Sequence, residues 1–512
     1  MQPDPLTRRN LLHMGAGLGV GLGAASTARD PRGMGGTPPA PRSVLLILVD
    51  QHRFDHAGFV GHPLATTPHL DQLAAEAVRV EACYAAVPLC APARQSLVTG
   101  LPASSHGTFR NRHAAAEGED TVFHRLTSAG YHTTFVGKTH CNVEGFARVL
   151  SQEALFERCR DQNPGAQFAG EGRILTDRPV AVPFLEPYNP RLETAGEGTI
   201  FHMEAAVTDE ALAALRSTPK DRPFFLTASY LAPHPPLFPP EEFLDLYRGV
   251  PVEADRAYRA KATALPQDLR RRRRGQRALQ IQDEQADNAV RAYLASLAWT
   301  DHCVGRLLEG LGELGLAEDT LVVYTSDHGE LLGQHGLFGK RAFYEGASRV
   351  PLLVRDPGRL EAGAIRPRVV SHLDLAATFL HWGGVAPGTL PGRDLRPLLR
   401  GDQELEWRDE ARLESSDGLG LPEEGQLVQP EEARPPEAMS WCLRSGPWKY
   451  MATGAGEAEL YDLREDPGEQ RNLAADSGHA EVVAHCAARL RAASPARWTF
   501  HRTDDGREGL PR

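Results

Sequence analysis

Four apolar runs in this chain are built alike, and that repetition is what most limits the fold. SVLLILV stops at Asp50 and Gln51, YHTTFVG at Lys138 and His140, PFFLTASYLA just before His234, and TLVVYTS at Asp327 and His328. Each run is short, apolar and bounded by polar or turn-forming residues, as expected of a strand buried on both faces. Helical spacing lies between them. Leu70, Leu73, Ala74 and Ala77 give one helix; Val290, Tyr293, Leu294, Leu297, Val304, Leu307, Leu308 and Leu311 give a longer one, with Gly315 placed to close it. Strands alternating with helices predict an α/β fold, a large, mostly parallel or mixed sheet sandwiched by helices. Ligands of such sheets bind beyond the carboxyl ends of the strands, where all four polar clusters fall.

Past about residue 400 the pattern changes to short alternating segments, clearest in MSWCLRSGPWKYMAT and AELYDL. These predict a smaller C-terminal α+β unit on an antiparallel sheet. The expected division is a catalytic region over 43–400, a C-terminal subdomain over 401–500 and a tail over 501–512. An acidic, proline-rich stretch, LPEEGQLVQPEEARPPEA, reads as an exposed loop. The basic run Arg270 to Arg274 reads as a solvated face, with a polyanion subsite as the alternative.

The formal charge of -11 argues against nucleic acid as a general partner, so any anion site must be locally basic. Near the start, Arg8 and Arg9 precede a glycine-rich, weakly apolar run that ends in small residues. The run predicts an export signal over 1–28 followed by a linker over 29–42, and is too short to span a membrane. TRRNLL resembles a twin-arginine signal, which implies a periplasmic or secreted protein. The seven cysteines lack the paired spacing of a structural zinc site, and their odd number leaves at least one without an internal partner, for which Cys90 is the candidate.

Asp50, Asp327 and His328, with the amide oxygen of Gln51, form an oxygen-rich set suited to Ca²⁺ or a similar divalent ion, Mg²⁺ or Mn²⁺ included. Lys138, Lys340 and Arg94 are candidate cations for a substrate oxyanion, and His140 and His234 candidate proton carriers. In PLCAPARQSLVTG, Pro92 suits the first residue of a helix that Gly100 would close. Cys90 would then lie just outside the helix N-terminus, with Arg94 four residues on along the same face.

CAPARQSLVTG matches the Cys-x-Pro-x-Arg-x-x-Leu-x-Thr-Gly signature of formylglycine-dependent sulfatases of the alkaline phosphatase superfamily. In the expected order it is joined by VDQ, TPHLDQLAAEAV, GYHTTFVGKTH, APHPP, SDHGELLGQHGLFGK, WKY and ELYDLREDPGEQRNL. The chain thus resembles that family from Ser43 to Leu473. The resemblance implies that a formylglycine-generating enzyme oxidises Cys90 before folding, and that the resulting hydrate supplies the nucleophile and one metal ligand. It further implies that Lys138 and Lys340 hold sulfate oxygens, that Arg94 stabilises the alkoxide, that His234 protonates the leaving alcohol and that His140 takes the proton of the second hydroxyl.

Three positions depart from the commonest family pattern. Gln51 stands where many sulfatases have a second aspartate, Thr139 where an aromatic is frequent, and GQHG at 333–336 where GDHG is frequent. Asp-Gln is also seen in relatives resembling choline sulfatases and phosphonate monoester hydrolases, which makes a phosphonate monoester or phosphodiester hydrolase the alternative. GKTH favours a sulfate ester. A third expectation, from another class, is an anion-binding protein whose Cys90 is never modified.

Overall fold

The computed structural model describes residues 42–111, 120–141, 147–150, 168–169, 173–174, 203–235, 237, 239–252, 283–402, 405–415, 439–453 and 456–493. The expected export signal, most of the linker, Arg270 to Arg274, the acidic proline-rich loop and the tail lie outside these residues.

The main sheet draws its strands from most of the chain: β1 (Ser43–Val49), β2 (Val78–Tyr84), β3 (His132–Gly137), β4 (Ala147–Leu150), β5 (Phe224–Ser229), β6 (Thr320–Ser326), β7 (Leu352–Arg355) and β8 (Ile365–Ser371). Their spatial order is β8-β2-β7-β6-β1-β5-β3-β4, and the two-residue strand Arg349–Val350 adds to β2. From β6 to β4 every neighbouring pair is parallel, and β7 is antiparallel to both β6 and β2. The sheet is therefore mixed, with a parallel centre.

Strand β1 shows why a continuous apolar run is needed. Val44, Leu46 and Leu48 enter one buried cluster while Leu45, Ile47 and Val49 enter the other. A period of two with both faces covered leaves no place for a polar residue until the strand ends. Helices α1 (Pro68–Glu76), α3 (Met203–Ser217) and α4 (Asp283–Glu313) cover one face; α2 (Cys90–Thr99) and α5 (His372–Trp382) cover the other. Helix α4 carries the predicted stripe of Val304, Leu307 and Leu311 into the core. Each such side chain, fully buried, contributes roughly 1.5–3 kcal/mol of transfer free energy.

A second sheet is antiparallel throughout, in the order β9 (Glu410–Ser415), β10 (Ser440–Ser445), β11 (Trp448–Thr453) and β12 (Ala458–Asp462), with α6 (Ala480–Ala493) packed against it. Its other face is not independent of the main sheet. Leu413, Cys442, Met451 and Tyr461 share one buried cluster with Ala82 and Tyr84 of β2 and with Leu331, Leu337 and Tyr344. Among the described residues no helix is long and apolar enough to cross a membrane.

Candidate active site

Strands β6, β1, β5 and β3 are adjacent and parallel, so their carboxyl ends share one edge. The residues that follow them converge there: Asp327 and His328 after β6, Asp50 and Gln51 after β1, His234 beyond β5, and Lys138 and His140 after β3. Gln51 and His140 both adopt left-handed backbone, at φ 71° and 45°. For non-glycine residues this conformation is costly and is held only where the surroundings enforce it.

Cys90 is the first residue of α2, following Leu89 at the N-cap, so the helix starts two residues earlier than the sequence suggested. Pro92 sits within the first turn rather than opening it, and Gly100 closes the helix at φ 73° as expected. The sulfur of Cys90 is fully buried and lies 3.2 Å from His328 Nε2, 2.9 Å from Lys340 Nζ and 3.9 Å from Asp50 Oδ1. Burial alone would raise the thiol, but the charges of Lys138, Lys340 and His328 outweigh it and hold it well below its ordinary value. The position favours an anion.

The donors of Arg94 are taken up by its neighbours. Its Nε donates to Asp327 Oδ2 at 2.7 Å, one terminal nitrogen to Asp50 Oδ2 at 3.3 Å, and the other to the Lys138 carbonyl at 2.6 Å and Ser229 Oγ at 2.8 Å. Burial works against its charge, and Asp327 and Asp50 restore and strengthen it. Asp50 keeps its charge too, because Lys138 at 2.5 Å and the charges of His234 and Lys340 overcome its burial. Asp50 is thus held ionised in a buried pocket beside Lys138, Lys340 and Arg94, an arrangement that suits an anionic ligand.

The donor set fits a divalent cation. Asp50, Cys90, Asp327 and His328 each offer an atom lying within 4.8 Å of the others, and all four are buried. His328 Nδ1–H donates to the Gly329 carbonyl at 3.0 Å, which turns Nε2 toward the carboxylates of Asp50 and Asp327 at 3.6 Å. Gln51 turns its amide oxygen the same way, accepting from Lys340 Nζ at 2.7 Å. Oxygen donors with one imidazole are the set a hard divalent ion takes.

His234 and His140 flank the cluster. His234 Nδ1 donates to the Pro235 carbonyl, leaving Nε2 for chemistry. Its imidazole is held below the ordinary range, first by burial and then by the Lys340 charge. His140 Nε2 donates to the Asn111 carbonyl at 3.2 Å. Its Nδ1 is buried, with no partner in hydrogen-bonding geometry among the described residues.

Every expected site residue therefore reaches one pocket, and three further residues take part. Glu330 accepts from the Gln51 side-chain amide and from the backbone N–H groups of Leu332 and Gly339, which fixes which way the amide of Gln51 points. Ser229 links Arg94 to the Lys138 carbonyl. Asn111 accepts from the Ala91 N–H at 3.2 Å while holding His140. Glu330 and Ser229 stood at predicted strand ends, where a signal existed; Asn111 had none. Four large aromatic side chains are engaged with other partners. Trp299 donates to Glu204, Tyr344 donates to Glu459 and stacks on His335 at 3.8 Å, Trp441 lies in the second sheet's core and Trp382 packs on Phe379.

Comparison with known proteins agrees with this geometry. The Sulfatase family model matches residues 42–385. An arylsulfatase of Clostridium perfringens is 27% identical over 463 residues, covering 84% of this chain and 90% of that protein. A choline-sulfatase of Rhizobium meliloti is 27% identical over 456 residues, covering 84% and 82%. Among solved structures, a phosphonate monoester hydrolase of Agrobacterium radiobacter superposes with a TM-score of 0.72 at 25% identity, covering 92% of this chain and 99% of that one.

Proposed function

The chain belongs to the sulfatase family as a sulfuric ester hydrolase, and from that premise we propose that it cleaves the S–O bond of a sulfate monoester with a formylglycine hydrate made from Cys90. The observation that carries this reading is the placement of Cys90: buried at the first turn of α2, 2.9 Å from Lys340 and 3.2 Å from His328.

Lys340 and Lys138 bind the sulfate oxygens and draw charge away from sulfur as the bond to the alcohol lengthens. One hydroxyl of the hydrate, having lost its proton to solvent, attacks sulfur as an alkoxide; the bond from sulfur to the alcohol oxygen breaks and His234 delivers a proton from Nε2 to that oxygen. His140 Nδ1 then takes the proton of the second hydroxyl, the carbonyl re-forms and the bond from carbon to the sulfate oxygen breaks. An unmodified thiol has no second hydroxyl and could not be released this way. Asp50, Gln51, Asp327, His328 and the modified Cys90 would hold one divalent cation, Ca²⁺ by the hardness of its donors, and that ion would supply positive charge to the developing alkoxide. Arg94 braces Asp50 and Asp327.

The proposal includes maturation by a formylglycine-generating enzyme and export by the twin-arginine route. Because that route carries folded protein, modification precedes export. A variant lacking Arg8 and Arg9 then accumulates inside the cell with Cys90 already converted.

Mass spectrometry across Cys90, on protein from a host with the modifying enzyme, tests the nucleophile; conversion of thiol to aldehyde removes about 18 Da. Sulfate release from an aryl sulfate, faster than phosphate release from the matching phosphorus ester, is the expected companion result. A second reading, phosphorus-ester hydrolysis by the same nucleophile, is favoured by Gln51 and by the fold match to a phosphonate monoester hydrolase. Faster phosphorus-ester cleavage would select it. An unmodified thiol without turnover would leave the anion-binding reading.

A further inference from the structure

Where the main sheet meets the second sheet, a cavity of about 310 Å³ opens between the start of α5 and strand β9. None of the residues that line it belongs to the pocket around Cys90. Four arginines do line it: Arg393, Arg408, Arg412 and Arg489. Among the described residues, two carboxylates are paired with these groups. Asp374 is fully buried and pairs with Arg408; Glu410 pairs with Arg489 at 2.7 Å and stands 4.0 Å from Arg412. Two positive charges are left in excess.

The four arginines divide by use. Arg408 is tied into the frame, donating also to the carbonyls of Glu410 and Pro391, and Arg489 is tied to Glu410. Arg393 and Arg412 are not so tied. The guanidinium of Arg393 has no hydrogen bond or carboxylate among the described residues and only reaches the ring of Trp407, at 5.9 Å. Arg412 has only the long contact to Glu410. Its guanidinium is held below the ordinary arginine range, first by burial and then, against the pull of Glu410, by the charges of Arg489 and Arg408. An anion entering the cavity would relieve that repulsion. The start of α5 adds little itself, since Ser371 and Asp374 already form a reciprocal cap there.

We propose that this cavity is a second anion-binding site, separate from the catalytic pocket, for a sugar-sized ligand bearing two or more sulfate or phosphate groups. The volume excludes nothing smaller, but the charge does the selecting. Guanidinium groups match tetrahedral oxyanions two nitrogens at a time, and two loosely held guanidiniums, Arg393 on the loop after α5 and Arg412 on β9, ask for two such groups. Small-ligand pockets begin at roughly 300 Å³, enough for a substituted hexose. Because the chain as a whole is acidic, long-range attraction would not concentrate such a ligand, and the local cluster has to do it. This site is independent of the reading of Cys90.

Calorimetric titration of the full-length chain tests it, using Cys90→Ala to prevent turnover and three probes: a hexose disulfate, fructose 1,6-bisphosphate and inorganic sulfate. The expected result is binding of a doubly charged sugar that the Arg393→Ala/Arg412→Ala pair weakens at least ~10-fold, the scale of one lost charge-assisted contact. Arg222→Ala/Arg248→Ala removes the same charge from exposed positions elsewhere and should change the affinity less than ~2-fold. Lys340→Ala, in the catalytic pocket, should leave this binding event in place. Preference for the disulfate or for the bisphosphate assigns the ligand source, and either upholds the site. Should the doubly substituted protein be unstable, Arg393→Gln alone, on an exposed residue, carries the same test. Equal loss in both arginine pairs, inorganic sulfate binding as tightly as the disulfate, or no binding in the starting protein would each overturn the proposal.

Discussion

Lys340 Nζ stands 2.9 Å from the sulfur of Cys90, and the same ammonium donates to Gln51 Oε1 at 2.7 Å. It enters from the loop after β6, while Cys90 enters from α2, so two distant parts of the chain meet at the reacting atom. Lys340→Ala should lower kcat/KM for a sulfate ester by about 10²–10³-fold, the cost of removing one preorganised donor from a developing oxyanion. The melting temperature should move little. Steady-state kinetics with an aryl sulfate, beside a thermal scan, checks both.

Glu330 carries no chemistry but decides the orientation of Gln51. Removing its carboxylate in Glu330→Ala frees the Gln51 amide to turn its nitrogen toward the pocket. Divalent-ion affinity should fall by about 10–100-fold, the range for a lost partner behind a ligand. Glu330→Gln, which keeps an acceptor oxygen, should recover most of it. Titration of Ca²⁺ followed by the ion-dependent melting shift reads the affinity directly.

Asp50 and Asp327 are both fully buried, and a cation that binds them stabilises only the folded chain. Chelator should lower the melting temperature, and Ca²⁺ at about 100 times its dissociation constant should restore ~2.7 kcal/mol. In Asp327→Asn the Ca²⁺-dependent shift should vanish. A shift that persists in this variant would place the ion elsewhere.

Beneath the site, Lys449 Nζ lies 2.9 Å from both Glu345 and Glu469 with all three side chains buried. One ammonium cannot balance two carboxylates. Burial, with the neighbouring Glu345 charge, pushes Glu469 up to about 7 despite the pull of Lys449. A carboxyl that binds its proton more tightly when folded contributes stability that is complete below its unfolded value near 4.5 and is lost as pH rises through 7. Glu345 runs the other way: Lys449 and then Arg349 overcome its burial and hold it near 2, so its contribution is lost as pH falls below 4.5. Glu469→Gln should therefore flatten the fall of stability between pH 4.5 and 7 relative to the unaltered protein, read by denaturant titration across that range.

The fold was legible wherever period and length agreed. β1 and β6 ran over the residues expected of them because both faces are buried, which forces an unbroken apolar run ending sharply at a charge. The edge strand β8 was not visible: IRPRVVS mixes exposed and buried positions, and a proline interrupts it. At the site, side-chain types and their order pointed to the residues that converge on Cys90, but not to Asn111, which holds Ala91 and His140. What could not be read was direction. Arg94 was expected to face the substrate, and instead its donors are spent on Asp327, Asp50, Ser229 and a carbonyl, a matter of rotamer and neighbours that spacing does not encode. Gln334, the departure in GQHG, bridges Glu469 and the Gly346 N–H. Its partner is more than a hundred residues away, beyond any local pattern.

That bridge changes how damage late in the chain should be understood. Lys449 comes from β11 and Glu469 from the turn after β12, yet they grip Glu345 and Gln334, which bracket Lys340 in sequence. The second sheet is a clamp on the loop that delivers Lys340, the lysine proposed to hold a sulfate oxygen. A stop codon falling anywhere between β9 and β12 would leave every residue around Cys90 in the gene and in the polypeptide, while releasing the loop from its far anchor. Such an allele would score as a loss of chemistry although no residue of the catalytic pocket had been touched.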